Sequence, residues 1–142
     1  MILVDANILL YAEDSLSPQH KKARLWWDAQ LSGVEPVALC WPVLSAFVRI
    51  ATNPRLQRHP LSTTEAAGKV DGWLAQPCVR LITPTATHWS VFRRLLIATK
   101  AQANLVSDAH IAALAIEHGA TVYSSDEDFR LFPKVPWVNP LR

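Results

Sequence analysis

The chain opens with the stretch ILVDANILLYA, which occupies residues 2–12. Its first three residues form a continuous apolar run, which predicts a short buried strand. Asp5 ends this run, and the apolar residues after it predict a helix over residues 8–12. A carboxylate therefore stands at the carboxyl end of a buried strand. Burying its charge there is costly unless the side chain caps the helix or serves a function.

Strands and helices alternate along the rest of the chain. Apolar, β-prone runs predict further strands at residues 37–40, 79–82, 121–123 and 137–138. Apolar periodicity and capping residues predict helices at residues 18–31, 42–52, 63–76, 87–99 and 107–118. Such alternation indicates an α/β fold, a three-layer sandwich in which helices flank a mainly parallel sheet of four to five strands. In such sheets ligands bind beyond the carboxyl ends of the strands.

Capping residues set the expected helix ends. We expect Ser17, followed by Pro18, to cap the second helix, and Ser107 to cap the last long helix, which Gly119 should close. The sequence STTE at residues 62–65 matches a capping box and predicts another helix start.

Length and composition predict one domain spanning residues 1–142, with enough apolar and aromatic residues for a real core. Disordered chains and disulfide-stapled miniproteins are thereby excluded. The formal charge of +2 neither indicates nor excludes a nucleic-acid partner. Cys40 and Cys78 lack metal-ligand spacing, and no stretch is typical of a signal or a membrane span, so we expect a cytoplasmic protein without a membrane partner.

Most acids fall in loops or on helix faces among polar neighbours, and Glu13 and Glu117 are examples. Four aspartates do not. Besides Asp5, they are Asp108, expected in the first turn of its helix on the inward face, and Asp126 and Asp128, which follow the strand at residues 121–123. Taken singly, Asp108 could be an acid favoured by the helix dipole, and Asp126 and Asp128 could be turn or capping residues.

Together, these acids meet at one edge of the predicted sheet. Buried carboxylates repel one another, and the motifs that carry them contain no Lys or Arg before Arg130. A hard divalent cation, Mg²⁺ or Mn²⁺, is the natural partner for such an oxygen-rich set. An acidic pocket that holds such an ion suits the hydrolysis of phosphodiester bonds.

At these residues the sequence resembles PIN-domain ribonucleases. The opening ILVDANILLY (residues 2–11) looks like their first motif, NLVSDAHIAALA (residues 104–115) their third, and SDEDF (residues 125–129) their last. The segment VLSAFVRIATNPR (residues 43–55) is similar to one typical of VapC toxins of bacterial toxin–antitoxin modules. The resemblance runs in order along essentially the whole chain.

The resemblance implies an endoribonuclease that depends on Mg²⁺ or Mn²⁺, forms a homodimer, and is held inactive by a cognate antitoxin. Its catalytic, metal-binding acids correspond to Asp5, Asp108 and Asp126, with Asp128 as a supporting ligand. Family members cut particular tRNAs or rRNA, so one of these is the expected substrate.

The chain departs from the family in the second motif, where Ala46 stands in place of a frequent Glu. One well-held ion is therefore expected, with any second ion recruited by the RNA phosphate. Asn7 belongs to the first motif as a supporting residue. Ser124 and Ser125 are candidates for orienting water or the metal, against the simpler alternative of exposed turn hydroxyls.

Two stretches without acids predict where RNA would lie. Arg49, Arg55 and Arg58 are the charged residues between residues 36 and 64, and we expect them to contact the RNA backbone. A second stretch covers residues 72–107 and also carries only positive charges.

Most of the tryptophans are interpreted as packing residues. Those on amphipathic helices are expected in the core or in a dimer interface; they are Trp26, Trp27, Trp73 and Trp89. Trp41, at a strand end, could stack on a base, although a core position is the simpler interpretation.

Two other functions remain open at the level of sequence. The Ala46 departure is compatible with a degenerate PIN domain that binds RNA or protein without catalysis. A phosphohydrolase that uses a strand-end Asp as phosphoryl acceptor is less favoured, because the second acid of that motif is replaced by Asn7.

Overall fold

The computed structural model describes all 142 residues. Its five strands are β1 (Ile2–Val4), β2 (Val37–Leu39), β3 (Val79–Leu81), β4 (Thr121–Tyr123) and β5 (Trp137–Val138). Its six α-helices are α1 (Ala6–Glu13), α2 (His20–Leu31), α3 (Trp41–Ala51), α4 (Thr63–Leu74), α5 (His88–Thr99) and α6 (Asn104–His118). A 3₁₀ helix (Glu127–Leu131) follows β4.

The strands form one parallel sheet in the order β3-β2-β1-β4-β5. The chain builds outward from β1 through β2 to β3, then returns to add β4 and β5 on the other side. This confirms the predicted α/β fold with a parallel sheet flanked by helices. The order reverses between β1 and β4, and crevices for ligands open at such a reversal, outside the carboxyl ends of the strands.

The central strands are buried because their side chains are apolar on both faces, as parallel sheets require. All residues of β1, β2 and the middle of β4 are excluded from solvent. On the helices, Trp27 is fully buried and meets Trp73 edge to face at 5.8 Å between ring centroids, while Phe47 meets Trp73 in the same way at 4.7 Å. These rings join α2, α3 and α4 into one core.

Two of the expected helix starts were wrong. Helix α2 begins at His20, because Ser17 Oγ accepts a hydrogen bond from Gln19 N and caps a turn before the helix. Helix α6 begins at Asn104, so Ser107 lies inside it and caps nothing. The residue before α6, Ala103, has a φ of 51° and ψ of −127°, a conformation that costs a residue with a Cβ free energy.

Other helix ends agree with the sequence. Ser62 and Glu65 form the predicted capping box, since Ser62 Oγ accepts from Glu65 N and Glu65 Oε1 accepts from Ser62 N, both at 3.0 Å. Gly119 ends α6 with a φ of 64°, which glycine adopts without strain. None of these helices combines the length and apolar character needed to cross a bilayer.

Glu13 and Glu117 have polar partners, as expected, but their side chains are more shielded from solvent than the sequence indicates. The side chain of Glu13 is only 9% exposed and accepts from Arg24 at 2.9 Å and from Lys69 at 3.2 Å. It thereby ties the end of α1 to α2 and α4. The side chain of Glu117 is 1% exposed and pairs with His88 across α5 and α6.

We predict that Glu13→Ala lowers the free energy of unfolding by about 1–3 kcal/mol, because Arg24 and Lys69 lose their charged acceptor. Chemical denaturation measures this change. Glu35→Ala is the matched control, since the Glu35 side chain is 58% exposed and its nearest cation lies 3.9 Å away, and it should change stability by less than about 0.5 kcal/mol. Equal effects of the two substitutions would contradict the proposed tie between the helices.

Candidate active site

The site is built where β1 and β4 end side by side. The two strands pair in parallel with Val4 opposite Tyr123, and Asp5 N donates to Tyr123 O at 3.0 Å. The next residue of each strand is therefore Asp5 on one side and Ser124 on the other. Both are buried, and they are the only polar residues in the buried core.

Asp5 is held by hydrogen bonds from two directions. Its Oδ1 accepts from Ala6 N at 2.7 Å, so the side chain caps α1, and its Oδ2 accepts from Ser124 Oγ at 2.6 Å. Burial raises the pKa of Asp5, and these hydrogen bonds oppose the rise without cancelling it. A carboxylate has about four lone-pair sites, so Asp5 keeps acceptor capacity for a further partner.

Asn7 and Ser124 connect α1 to the loop after β4. Asn7 Nδ2 donates to Ser124 Oγ at 3.1 Å, Asn7 Oδ1 accepts from Ser125 N at 3.4 Å, and Ser124 Oγ accepts from Asp126 N at 3.0 Å. The alternative of an exposed turn hydroxyl is therefore wrong for Ser124, which is fully buried. Ser125 is partly buried beside it.

Three further carboxylates gather at the mouth of this arrangement. Oxygen atoms of Asp108, Asp126 and Asp128 lie within 4.8 Å of one another. Asp126 also caps the 3₁₀ helix, since its Oδ1 accepts from Asp128 N at 2.9 Å. The capping alternative is thus correct for Asp126 but incomplete, because the same residue also belongs to the acidic group.

Asp108 lies in the second turn of α6, one turn further from the helix start than expected. This weakens the helix-dipole interpretation, because the dipole effect fades after the first turn. Burial, followed by the charges of Asp126, Asp5 and Asp128, raises the pKa of Asp108 to about 7. No Lys or Arg forms an ion pair with any of these four acids, and Arg130, the nearest cation in sequence, pairs with Glu127 instead.

The acids line one wall of an open cleft of about 560 Å³. Asp5, Asp108 and Asp126 all face it, and Ala46 and Arg49 form part of the opposite wall on α3. Ala46, where the sequence resemblance implies a frequent Glu, lines the cleft, and no carboxylate from α3 takes its place among the lining residues. Helix α3 contributes a positive charge but no carboxylate.

The three predicted RNA contacts do not share one surface. Arg49 lines the acidic cleft, whereas Arg58 lines a neighbouring depression with Asn7 and Tyr11, and Arg55 is exposed outside both. Leu56 lines both depressions and lies between them.

The sequence interpretation did not assign the α6 residues that line the cleft beside Asp108. They are Asn104, Ser107, His110 and Ile111. Most of these residues share one helical face, but the full face can be identified from sequence only if the helix starts at Asn104. With Ser107 taken as a cap, the predicted inward face includes Asp108 and Ile111 but leaves out Asn104 and Ser107.

Comparison with known proteins shows the family to which this chain is similar. The family model described as the PIN domain matches residues 2–135. The chain is 45% identical over 140 residues to Ribonuclease VapC37 of Mycobacterium tuberculosis, covering 99% of this chain and 97% of that protein. It is 39% identical over 142 residues to Ribonuclease VapC33 of the same species, covering 100% and 99%.

Solved structures share the fold at lower identity. VapC20 of Mycobacterium tuberculosis, described as a toxin that cleaves the sarcin-ricin loop, has a TM-score of 0.71 at 21% identity and covers 96% of this chain and 99% of its own. VapBC2 from Rickettsia felis, bound to a DNA fragment from its promoter, has a TM-score of 0.71 at 18% identity and covers 98% of both chains. At these identities the likeness shows the fold alone.

The raised pKa of Asp108 predicts how metal-free stability depends on pH. The folded protein keeps this proton up to a pH of about 7, whereas the unfolded chain loses it near its ordinary value of 3.8. Since the folded state binds more protons in this window, the free energy of unfolding contributed by Asp108 falls as the pH rises from about 4 to about 7.

We therefore expect Asp108→Asn to raise the melting temperature in EDTA clearly at about pH 8 and little at about pH 4, because the neutral amide resembles the protonated acid. Thermal unfolding followed by circular dichroism measures both values. Asp71→Asn, at an exposed position on α4, should have little effect at either pH. A shift of equal size at both pH values would refute the electrostatic explanation.

Proposed function

Because the chain belongs to the PIN-domain family, within its VapC-type toxins, we propose that it is an endoribonuclease and the toxin of a type II toxin–antitoxin system. We further propose that it hydrolyses RNA phosphodiester bonds with the help of a divalent cation, Mg²⁺ or Mn²⁺. The observation that carries this proposal is the group of uncompensated carboxylates at the end of β1 and β4.

The donors in the cleft fit such an ion. Asp108, Asp126 and Asp128 supply closely spaced oxygen atoms, and Asp5 faces the same cleft from below. Hard cations such as Mg²⁺ bind a few carboxylates while keeping several waters, which an open cleft allows. Burial raises the pKa values of Asp5 and Asp108, and neighbouring carboxylates add to the rise; a bound cation would favour the charged forms of both.

A divalent ion bound there would lower the pKa of a water molecule and offset negative charge on the phosphate under attack. The chain itself supplies positioning. Ser124 fixes Asp5, and Asn7 fixes the loop that carries Asp126, so the carboxylates are held before any ligand arrives. Arg49, on the opposite wall, is placed to contact a phosphate of the bound RNA.

We propose one well-held ion rather than two. A second ion bound by protein ligands would need a carboxylate from α3, where Ala46 lines the cleft. Any second ion would have to be carried in by the RNA phosphate. Asp128 is exposed at the rim, which suits a supporting ligand or a ligand to bound water.

The proposed partners follow from the relatives. The name VapBC2 denotes a VapB together with a VapC. VapC20 is described as a toxin that cleaves the sarcin-ricin loop. We propose that this chain likewise has a cognate antitoxin, acts on structured RNA of the tRNA or rRNA class, works in the cytoplasm and forms a homodimer. Arg55 and Arg58 remain proposed contacts for RNA that extends beyond the cleft.

We predict that Asp5→Asn and Asp108→Asn each lower Mn²⁺-dependent cleavage of RNA by more than about 100-fold, because each removes a charge needed to hold the cation. RNA binding should persist or strengthen, since repulsion of the phosphates decreases. Gel-resolved cleavage and fluorescence anisotropy measure the two effects. Asp71→Asn, an exposed acid far along the sequence from these motifs, is the control.

Two outcomes would count against the enzymatic proposal. One is cleavage by the wild-type protein that continues unchanged in EDTA. The other is binding of RNA without cleavage under any divalent metal, which would favour the non-catalytic binding module that Ala46 leaves open.

The position of Ala46 provides a gain-of-function test. Ala46→Glu adds a carboxylate to the α3 wall and should lower the Mn²⁺ concentration needed for half-maximal cleavage several-fold. Ala46→Gln has nearly the same size without the charge and should not have this effect. If both variants behave alike, the missing charge at this position does not limit metal binding.

A further inference from the structure

Three aromatic rings form a row from the acidic cleft to the outer surface of α5. His110 lines the cleft, and Phe92 stacks on it with ring centroids 5.3 Å apart and planes 18° from parallel. Trp89 meets Phe92 edge to face at 6.0 Å. We call Trp89, Phe92 and His110 the aromatic row. Of the three, His110 alone lines the cleft, and Phe92 and Trp89 follow it through ring-to-ring contacts.

Of the two positions expected for Trp89 from sequence, the core or a dimer interface, the structure excludes the core. The Trp89 side chain is 63% exposed, whereas Trp27 and Trp73 are buried. An indole held at the surface beside a cleft offers a flat face to a planar ligand.

A partly buried hydrogen-bonded pair, Glu117 and His88, holds the row in place. Glu117 accepts from Thr85 N at 2.8 Å, from Thr85 Oγ1 at 2.6 Å and from His88 Nδ1. The ring of His88 contacts both Phe92, at 5.6 Å, and His110, at 4.8 Å between centroids. These contacts join α5 to α6, so the rings of the row keep their relative positions.

The surface around the row is positive. Arg93 lies one helical turn after Trp89, Arg94 is its neighbour, and both are exposed without an ion-pair partner. No acid occurs between Asp71 and Asp108 in the sequence. This charge complements a phosphate backbone and contrasts with the acidic cleft beside it.

Surfaces that bind single-stranded nucleic acid combine exposed aromatic rings with nearby arginines. Bases stack on the rings, and the cations contact the backbone. An interface between two copies of the chain is less well matched. A symmetric interface would bring this same patch of two copies together, so that Arg93 and Arg94 would approach like charges without an acid from residues 72–107 to pair with them.

We propose that the aromatic row is a base-stacking subsite for single-stranded RNA. A base near the scissile phosphate stacks on Trp89, and Arg93 contacts the adjoining backbone. The proposal rests on the endoribonuclease function proposed above and adds to it a substrate requirement: an unpaired nucleotide next to the bond that is cut.

The test measures binding of a fluorescein-labelled single-stranded oligoribonucleotide to the Asp108→Asn protein, in which cleavage is suppressed. Adding Trp89→Ala should weaken binding by about 5- to 150-fold, the range expected for loss of one base–aromatic stack. Trp89→Phe should restore most of the affinity, since it keeps an aromatic face. Leu25→Ala, at a residue 76% exposed on α2, controls for loss of an exposed apolar side chain.

A second series replaces single nucleotides of the same RNA by abasic ones. One abasic position should weaken binding to the parent protein and have no further effect on the Trp89→Ala variant, which couples that base to this side chain. The oligomeric state of each variant is measured by light scattering.

The inference is overturned if Trp89→Ala binds as tightly as its parent, or if no abasic position couples to Trp89. It is also overturned if the variant loses affinity only because a dimer dissociates, since Trp89 would then contact a second copy of the chain. If the wild-type protein cleaves RNA while these results are negative, the endoribonuclease proposal stands and only the subsite fails. If the wild-type protein neither binds nor cleaves RNA, both proposals fail.

Discussion

The parallel pairing of β1 with β4 is the constraint on which the candidate site depends. It places the first residue after each strand side by side, so that a carboxylate from the start of the chain meets a hydroxyl and further acids from near its end. The sheet order reverses at this pair, which leaves the crevice uncovered by a crossover connection. A slip of one residue in this register would turn Asp5 to the other face of the sheet and separate it from Ser124.

Local patterns predicted the sheet and the four acids because both depend on short-range chemistry. The apolar run before Asp5 can only be buried, and the acids stand where strands end. The start of α6 depends on something else. Ala103 adopts a positive φ that its side chain does not favour, so only the surrounding tertiary structure imposes the helix start there, and Ser107 was given a capping role that it does not have.

Burial of charged groups was the other property that the sequence did not reveal. Glu117 is hidden because His88 and Thr85, distant in the sequence, donate to it when α5 packs on α6. Glu13 is shielded in the same way by Arg24 and Lys69 from two other helices. Whether an acid is solvated depends on partners that a local pattern does not contain. The same holds for the exposure of Trp89 and for the different depressions that Arg49 and Arg58 line.

The unneutralised carboxylates have a thermodynamic consequence for the order of events in the cleft. Without a cation, their negative potential opposes the approach of a phosphate, and with a cation bound it no longer does. For the cation and the RNA proposed above, occupancy of the cleft would therefore be linked, and the linkage would be reciprocal: whatever factor the ion adds to the affinity for RNA, RNA adds to the affinity for the ion. The free concentration of divalent ions would then act as a heterotropic effector of RNA binding in the cleft.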